Sequence, residues 1–153
     1  MGNVIFTSLS PEDTINLGAK LGEKLKPGAF LILTGELGSG KTTFIKGIAK
    51  ALDINIPITS PSFLIIKEYE GKYPFIHVDA YRLTSPLELI NIGWEEYLNG
   101  TKIIAVEWGE KILEICPEEY LQITFFHEEL NIRKLIFKAN GEKYEELLRE
   151  LHI

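Results

Sequence analysis

Cysteine is nearly absent from these 153 residues, and the single thiol, Cys116, has no partner in the chain. No internal disulfide can form, so the fold rests on its core, and the chain reads as intracellular. No histidine stands near Cys116 to activate it, so it reads as a small buried hydrophobe. Long apolar runs are missing too. None approaches the ~20 residues that a membrane helix requires. Acidic Glu12 and Asp13 follow a start without basic residues, unlike a secretory leader. Phe6 stands where a myristoylation motif carries Ser or Thr. The expectation is a soluble cytoplasmic protein without a membrane.

Positive charge is also short. Sixteen Lys and Arg face 22 Asp and Glu, a formal net charge of −6. An autonomous nucleic-acid binder shows a basic patch on a basic domain. The balance still permits a nucleic acid held mainly by a partner. Arginine is rarest of all, with only Arg82, Arg133 and Arg149. What is abundant is ordinary: 45% hydrophobic and 25% charged residues, enough for a real core. The length suits one domain over residues 1–153, without repeat, linker or low-complexity tract.

Val4 to Ser8 reads as a short extended start. Ser10-Pro11-Glu12-Asp13 opens a helix, with Ser10 as N-cap, and Leu17, Leu21 and Leu25 carry it to about Lys26. Ala29 to Thr34 is a continuous apolar run, the mark of a strand buried on both faces of a parallel sheet. A glycine-rich turn and a helix from Lys41 to about Leu52 follow. Phe63–Tyr69, Pro74–Asp79 and Lys102–Glu107 read as further strands, the last two ending in acids. Ser85-Pro86-Leu87-Glu88 repeats the helix opening, and Gly93 divides that region into two short helices. Tyr120–His127 and Arg133–Lys138 form a hairpin about Leu130-Asn131. Tyr144, Leu147, Leu148 and Leu151 mark a last amphipathic helix. The expected fold is α/β: a largely parallel central sheet flanked by helices, with antiparallel strands at its edges.

Gly35-Glu36-Leu37-Gly38-Ser39-Gly40-Lys41-Thr42 matches G-x-x-x-x-G-K-[ST] at every fixed position, between a buried strand and an amphipathic helix. Glycines let the loop's N–H groups turn inward as an anion nest, and the helix that follows adds its positive end. Lys41 supplies a point charge for the β- and γ-phosphates, and the Thr42 hydroxyl suits Mg²⁺. Glu36 points to solvent. Asp79 and Glu107 end their strands where an α/β sheet opens its ligand crevice. Either can hold Mg²⁺ or orient the attacking water, and spacing does not choose between them. His77 and Trp108, beside these acids, are equally consistent with the site or with packing. Thr59-Ser60-Pro61-Ser62 lies where a GTPase carries its γ-phosphate sensor, although a polar turn fits as well.

Three further absences narrow the class. Asn-Lys-x-Asp, the guanine reader of GTPases, is missing, which favours ATP. Leu-Ser-Gly-Gly-Gln is missing, which excludes a transporter ATPase. Three arginines are too few for a nucleotide-kinase lid that clamps two phosphorylated substrates. A small metabolite kinase and a nucleotide-dependent binding module with negligible hydrolysis stay open.

Taken in order, Gly35–Thr43, Thr59-Ser60-Pro61-Ser62-Phe63, His77-Val78-Asp79-Ala80-Tyr81-Arg82-Leu83, Gly93 and Val106-Glu107-Trp108 resemble the bacterial TsaE (YjeE) family. The resemblance spans about residues 4 to 138, and His-x-Asp-x-Tyr-Arg with Glu-Trp is far more specific than the P-loop alone. It implies an ATPase needed for tRNA threonylcarbamoyladenosine modification, acting with the TsaD and TsaB subunits, which carry out the transfer. The partners would hold the tRNA, which fits the acidic charge of this chain. By the same resemblance, Gly35, Leu37, Gly38, Ser39, Gly40, Lys41, Thr42 and Thr43 would bind the nucleotide. Lys41, Asp79 and Glu107 would be catalytic, with Thr42 and Glu107 on Mg²⁺. Pro11 and Asn131 would flank the adenine.

Overall fold

The computed structural model describes residues 2–59 and 66–151. Its frame is a seven-stranded sheet: β1 (Val4–Ser8), β2 (Phe30–Thr34), β3 (Ile66–Tyr69), β4 (Phe75–Asp79), β5 (Ile103–Glu107), β6 (Tyr120–Glu129) and β7 (Ile132–Asn140), in the spatial order β1-β7-β6-β2-β5-β4-β3. The four inner strands β6, β2, β5 and β4 run parallel. Antiparallel β7 and β1 extend one edge, and antiparallel β3 closes the other. Every residue of β2 and β5 is buried, as their unbroken apolar runs require.

Helices cover both faces. On one side lie α1 (Pro11–Gly22), α2 (Lys41–Ala51) and α5 (Glu142–Glu150), over Leu31, Leu33, Phe75 and Ala105. Fully buried Phe44 of α2 meets Phe125 and Phe137 edge-on at 5.5 and 6.0 Å, contacts that add about 0.5–1.5 kcal/mol each beyond area burial. On the other side, α3 (Leu87–Ile90), α4 (Trp94–Tyr97) and a 3₁₀ segment over Gly109–Ile115 cover Ile32, Ile76, Val78, Ile104 and Val106. Cys116 is half-buried there, and burial pushes its thiol up to about 12, which suits a packing role. Among the described residues no helix is long and apolar enough to cross a membrane.

Two helices depart from their sequence reading. Ser10 caps α1 as expected, its Oγ accepting the Asp13 N–H at 3.1 Å, but α1 ends at Gly22 rather than near Lys26. Pro27 disfavours a helical Lys26, and the chain leaves by a tight turn, Lys24 N–H to Leu21 O at 2.9 Å, that still buries Leu25. Near Ser85 the helix starts one residue late, at Leu87. Glu88 turns back to the Thr84 N–H at 3.1 Å, while the Ser85 hydroxyl accepts the Leu87 N–H at 3.2 Å. The hairpin strands are longer than expected and leave only Leu130-Asn131 between them. Of the expected strand Phe63–Tyr69, Ile66–Tyr69 is present, and Phe63 lies outside the described residues.

Two glycines set the α1–α2 crossing. A Cβ on Gly18 would fall 2.1 Å from the Phe44 carbonyl, and one on Gly47 would fall 2.0 Å from the Ile15 carbonyl. The helices therefore touch backbone to backbone, and the first turn of α1 comes to lie beside the loop that precedes α2.

Candidate active site

Parallel pairing brings β2, β5 and β4 to the same edge of the sheet, so Thr34, Glu107 and Asp79 end there together. The register sets Glu107 between Leu33 of β2 and Asp79 of β4. Since β6 is parallel to β2, its hairpin turn with Asn131 projects past that edge too. Antiparallel β1 places Ser8 opposite Arg133, so Ser10 and Pro11 follow at the same end. The result is a cavity of about 230 Å³ lined by Leu37–Thr43, Pro11, Thr14, Asp79, Glu107, Trp108, Asn131 and Arg133. A parallel sheet opens a crevice at this place.

The loop between β2 and α2 has an unusual backbone. Gly40 adopts φ 106° as the residue before α2, and the helix starts without a side-chain cap. The first N–H groups of a helix have no intrahelical acceptor, so an uncapped start facing a cavity suits an anion. Ser39 Oγ is buried in the same loop without a hydrogen-bond partner among the described residues. A phosphate chain is the group that these donors fit. Gly35, expected to bind nucleotide, does not line the cavity: it has φ 144°, and a Cβ there would fall 2.7 Å from the Phe125 carbonyl. Its place is to let the loop turn against β6, and its carbonyl accepts from the Lys41 ammonium. Glu36 is exposed, as expected.

Lys41 is only 4% exposed. Its Nζ donates to the Gly35 and Glu36 carbonyls, the latter at 3.1 Å, and lies 4.3 Å from the centre of the Trp108 ring. Burial lowers its pKa, against the opposing pull of Glu107, Glu110 and Asp79. Trp108 holds a left-handed backbone at φ 61°, fixed by its N–H to Leu33 O at 2.8 Å. Its ring lies beneath the lysine and also meets Tyr81, with centroids 5.1 Å apart. Spacing left Trp108 open between site and packing, and the structure shows both: it lines the cavity and packs against the core beneath.

The two strand-end acids differ in their surroundings. Glu107 Oε2 accepts from Thr42 Oγ1 at 2.9 Å and lies 2.6 Å from His77 Nε2. Asp79 Oδ1 accepts the Tyr81 N–H at 3.0 Å. Thr42 and Glu107 are thus a contiguous pair of hard oxygen donors, the chemistry that Mg²⁺ takes alongside phosphates and water. Asp79 stands beside them on the neighbouring strand.

Three cavity residues were not assigned a site from spacing. Thr14 sits on the buried face of α1, where its Oγ1 meets the Ser8 hydroxyl at 2.7 Å. Its signal is a hydroxyl on the stripe of Leu17 and Leu21. Arg133 spans the cavity's hairpin side, with NH1 to the Leu130 and Ile132 carbonyls at 2.7 and 3.2 Å and NH2 to Gly38 O at 3.1 Å. Trp108 is the third. Arg82 is exposed and outside the cavity lining. Thr59 is exposed and accepts from Lys67 Nζ at 2.7 Å, while Ser60, Pro61 and Ser62 lie outside the described residues.

Comparison with known proteins agrees with this fold. The family model described as threonylcarbamoyl adenosine biosynthesis protein TsaE matches residues 8–135. The tRNA threonylcarbamoyladenosine biosynthesis protein TsaE of Bacillus subtilis is 40% identical over 152 residues, covering 99% of this chain and 95% of that one. The Nostoc protein of the same name is 44% identical over 117 residues, covering 73% and 71%. The crystal structure of Bacillus subtilis YdiB superposes with a TM-score of 0.85 at 36% identity, covering 98% of this chain and 94% of that one. With its P-loop fold, its strand-end acids and a match over most of its length, this chain belongs to the TsaE family of threonylcarbamoyl adenosine biosynthesis proteins.

Proposed function

We propose that this chain is a Mg²⁺-dependent ATPase that serves tRNA threonylcarbamoyladenosine synthesis in the cytoplasm. It acts with the TsaD and TsaB subunits of the threonylcarbamoyl transferase, and tRNA is held by that complex. The observation that carries the reading is the single cavity in which Lys41, Thr42, Asp79 and Glu107 meet beside an uncapped helix start. The family gives the biological process.

In this reading the phosphates of ATP lie along Leu37–Thr43, with Lys41 exchanging its backbone carbonyls for phosphate oxygens. Thr42 and Glu107 would hold Mg²⁺, which when bound would supply positive charge against the phosphates. Asp79 orients the attacking water. Water adds to the γ-phosphorus, the bond to the β–γ bridging oxygen breaks, and ADP and inorganic phosphate leave. Catalysis here is positioning and charge stabilisation rather than covalent chemistry by the protein. Pro11 and Asn131, which also line the cavity, flank the adenine.

Steady-state ATP turnover, alone and with the TsaD–TsaB pair, with and without tRNA, tests the reading. Phosphate transfer to a small hydroxyl acceptor without partners would favour a metabolite kinase. Tight ATP binding with no turnover, even with partners, would favour a binding module.

Glu107→Ala is expected to weaken nucleotide binding about tenfold or more with Mg²⁺ present, and far less in chelator, because a metal ligand acts only when the metal is there. An equal loss in both titrations removes Glu107 from the metal site. ATP is expected to bind roughly tenfold more tightly than GTP, about 1.4 kcal/mol, since the chain has no guanine reader. Equal affinities in competition would overturn that preference.

A further inference from the structure

His77 is a fully buried histidine with a polar contact at the end of the sheet. Strand alternation puts Phe75, His77 and Asp79 of β4 on one face. The register sets His77 opposite Ala105 and Asp79 opposite Glu107. Ala105 carries only a methyl, which leaves room for the imidazole to lean along the sheet towards Glu107. Nε2 reaches Glu107 Oε2 at 2.6 Å. The same oxygen accepts from Thr42 Oγ1 at 2.9 Å. Two donors, one from β4 and one from α2, therefore converge on one carboxylate oxygen.

A carboxylate oxygen only accepts, so the hydrogen of this contact belongs to the imidazole. Nδ1 is buried with no hydrogen-bond partner among the described residues. A hydrogen on Nδ1 would be buried unpaired, whereas the Nε2–H tautomer leaves only a lone pair there. Buried side chains usually satisfy their polar atoms, and among the described residues the hydrogen bond of this one goes to Glu107.

We propose that His77 is a positioning residue for the metal site: it donates Nε2–H to Glu107 Oε2 and holds that carboxylate in the orientation that, with Thr42, receives Mg²⁺. Packing alone would need an apolar side chain here, not a donor aimed at the carboxylate that accepts from Thr42. This role rests on the reading of Thr42 and Glu107 as the metal-side pair. Partners behind a metal ligand typically contribute about 10–100-fold to metal affinity.

The test compares His77→Leu, which keeps bulk and removes the donor, with His77→Gln, whose side-chain amide can return an N–H to Oε2. A non-hydrolysable ATP analogue is titrated calorimetrically with Mg²⁺ and with chelator. His77→Leu should weaken Mg²⁺-dependent binding roughly tenfold or more and leave chelator binding near wild type, and His77→Gln should recover most of the loss. Equal loss in both titrations, no loss, or no recovery in a folded His77→Gln would overturn the proposal. Should His77→Leu not fold, nitrogen NMR of the wild-type imidazole decides: a hydrogen on Nε2 supports the role, and an Nε2 without one overturns it. Glu107→Ala, measured in parallel, separates the two levels. If it abolishes the Mg²⁺ dependence while His77→Leu does not change it, only the His77 role fails. If Glu107→Ala leaves the dependence intact, the metal reading fails and takes the His77 role with it.

Discussion

Lys41→Ala is expected to abolish ATP turnover and to weaken nucleotide binding by orders of magnitude, while the protein remains folded. Among the described residues the ammonium is the one lysine charge in the cavity lining, and phosphoryl transfer depends almost wholly on charge placed along the phosphates. The substitution is not a surface change. An exposed lysine would alter stability by no more than ~0.5 kcal/mol, but Lys41 is 4% exposed and bonds two loop carbonyls. Losing those bonds costs about 1–2 kcal/mol, partly offset because a desolvated charge also disappears. The net is about 1 kcal/mol, or ~3 °C in Tm. Circular dichroism melts alongside calorimetric ATP titration check both halves. Unaltered turnover would falsify the site assignment. Lys41→Met, which keeps the stem over Trp108, should lose binding equally while melting closer to wild type.

The second large effect concerns the partners. Hydrolysis by the isolated chain is expected to be slow and to rise at least tenfold as the TsaD–TsaB pair is added. An arginine finger contributes ~10³–10⁵ to phosphoryl transfer, so a site without one is slow. Spacing leaves Arg82 as a possible finger in cis, three residues after Asp79. Its side chain is exposed and outside the cavity lining, so that role is not supported. Arg133 does line the cavity, but its guanidinium is committed to three carbonyls, at Leu130, Ile132 and Gly38. Arg149 lies on the last helix. No arginine among the described residues is free at the Lys41–Glu107 side, which is where a docking partner would complete the charge. A steady-state assay with increasing partner measures this. A rate already fast alone, and flat as partner is added, would sink the idea of a partner-completed site and raise the kinase reading.

Much of this protein is determined by neighbours in sequence. The loop Gly35–Thr42 needs glycines at set spacing between a strand and a helix, and both flanking elements announce themselves by continuous apolar runs or by 3.6-residue periodicity. The strands ending in Asp79 and Glu107, the Ser10 cap and the Leu130-Asn131 hairpin are local in the same sense, and each stands where its pattern puts it. Even the proposed preference for ATP rests on a missing motif. Tertiary structure decided the rest, because it depends on pairings between residues far apart in the chain. Two acids of equal standing in sequence become unequal once β5 lies between β2 and β4: Glu107, not Asp79, bonds Thr42 at 2.9 Å. Gly18 and Gly47 look like minor helix weaknesses until α1 and α2 cross at backbone contact, and only that crossing carries Thr14 to the cavity. His77 reads equally as core or site until the register gives it Ala105 as a neighbour and Glu107 as a partner. Local chemistry chooses the elements and the motif, while sheet order, register and helix crossing choose which side chains meet.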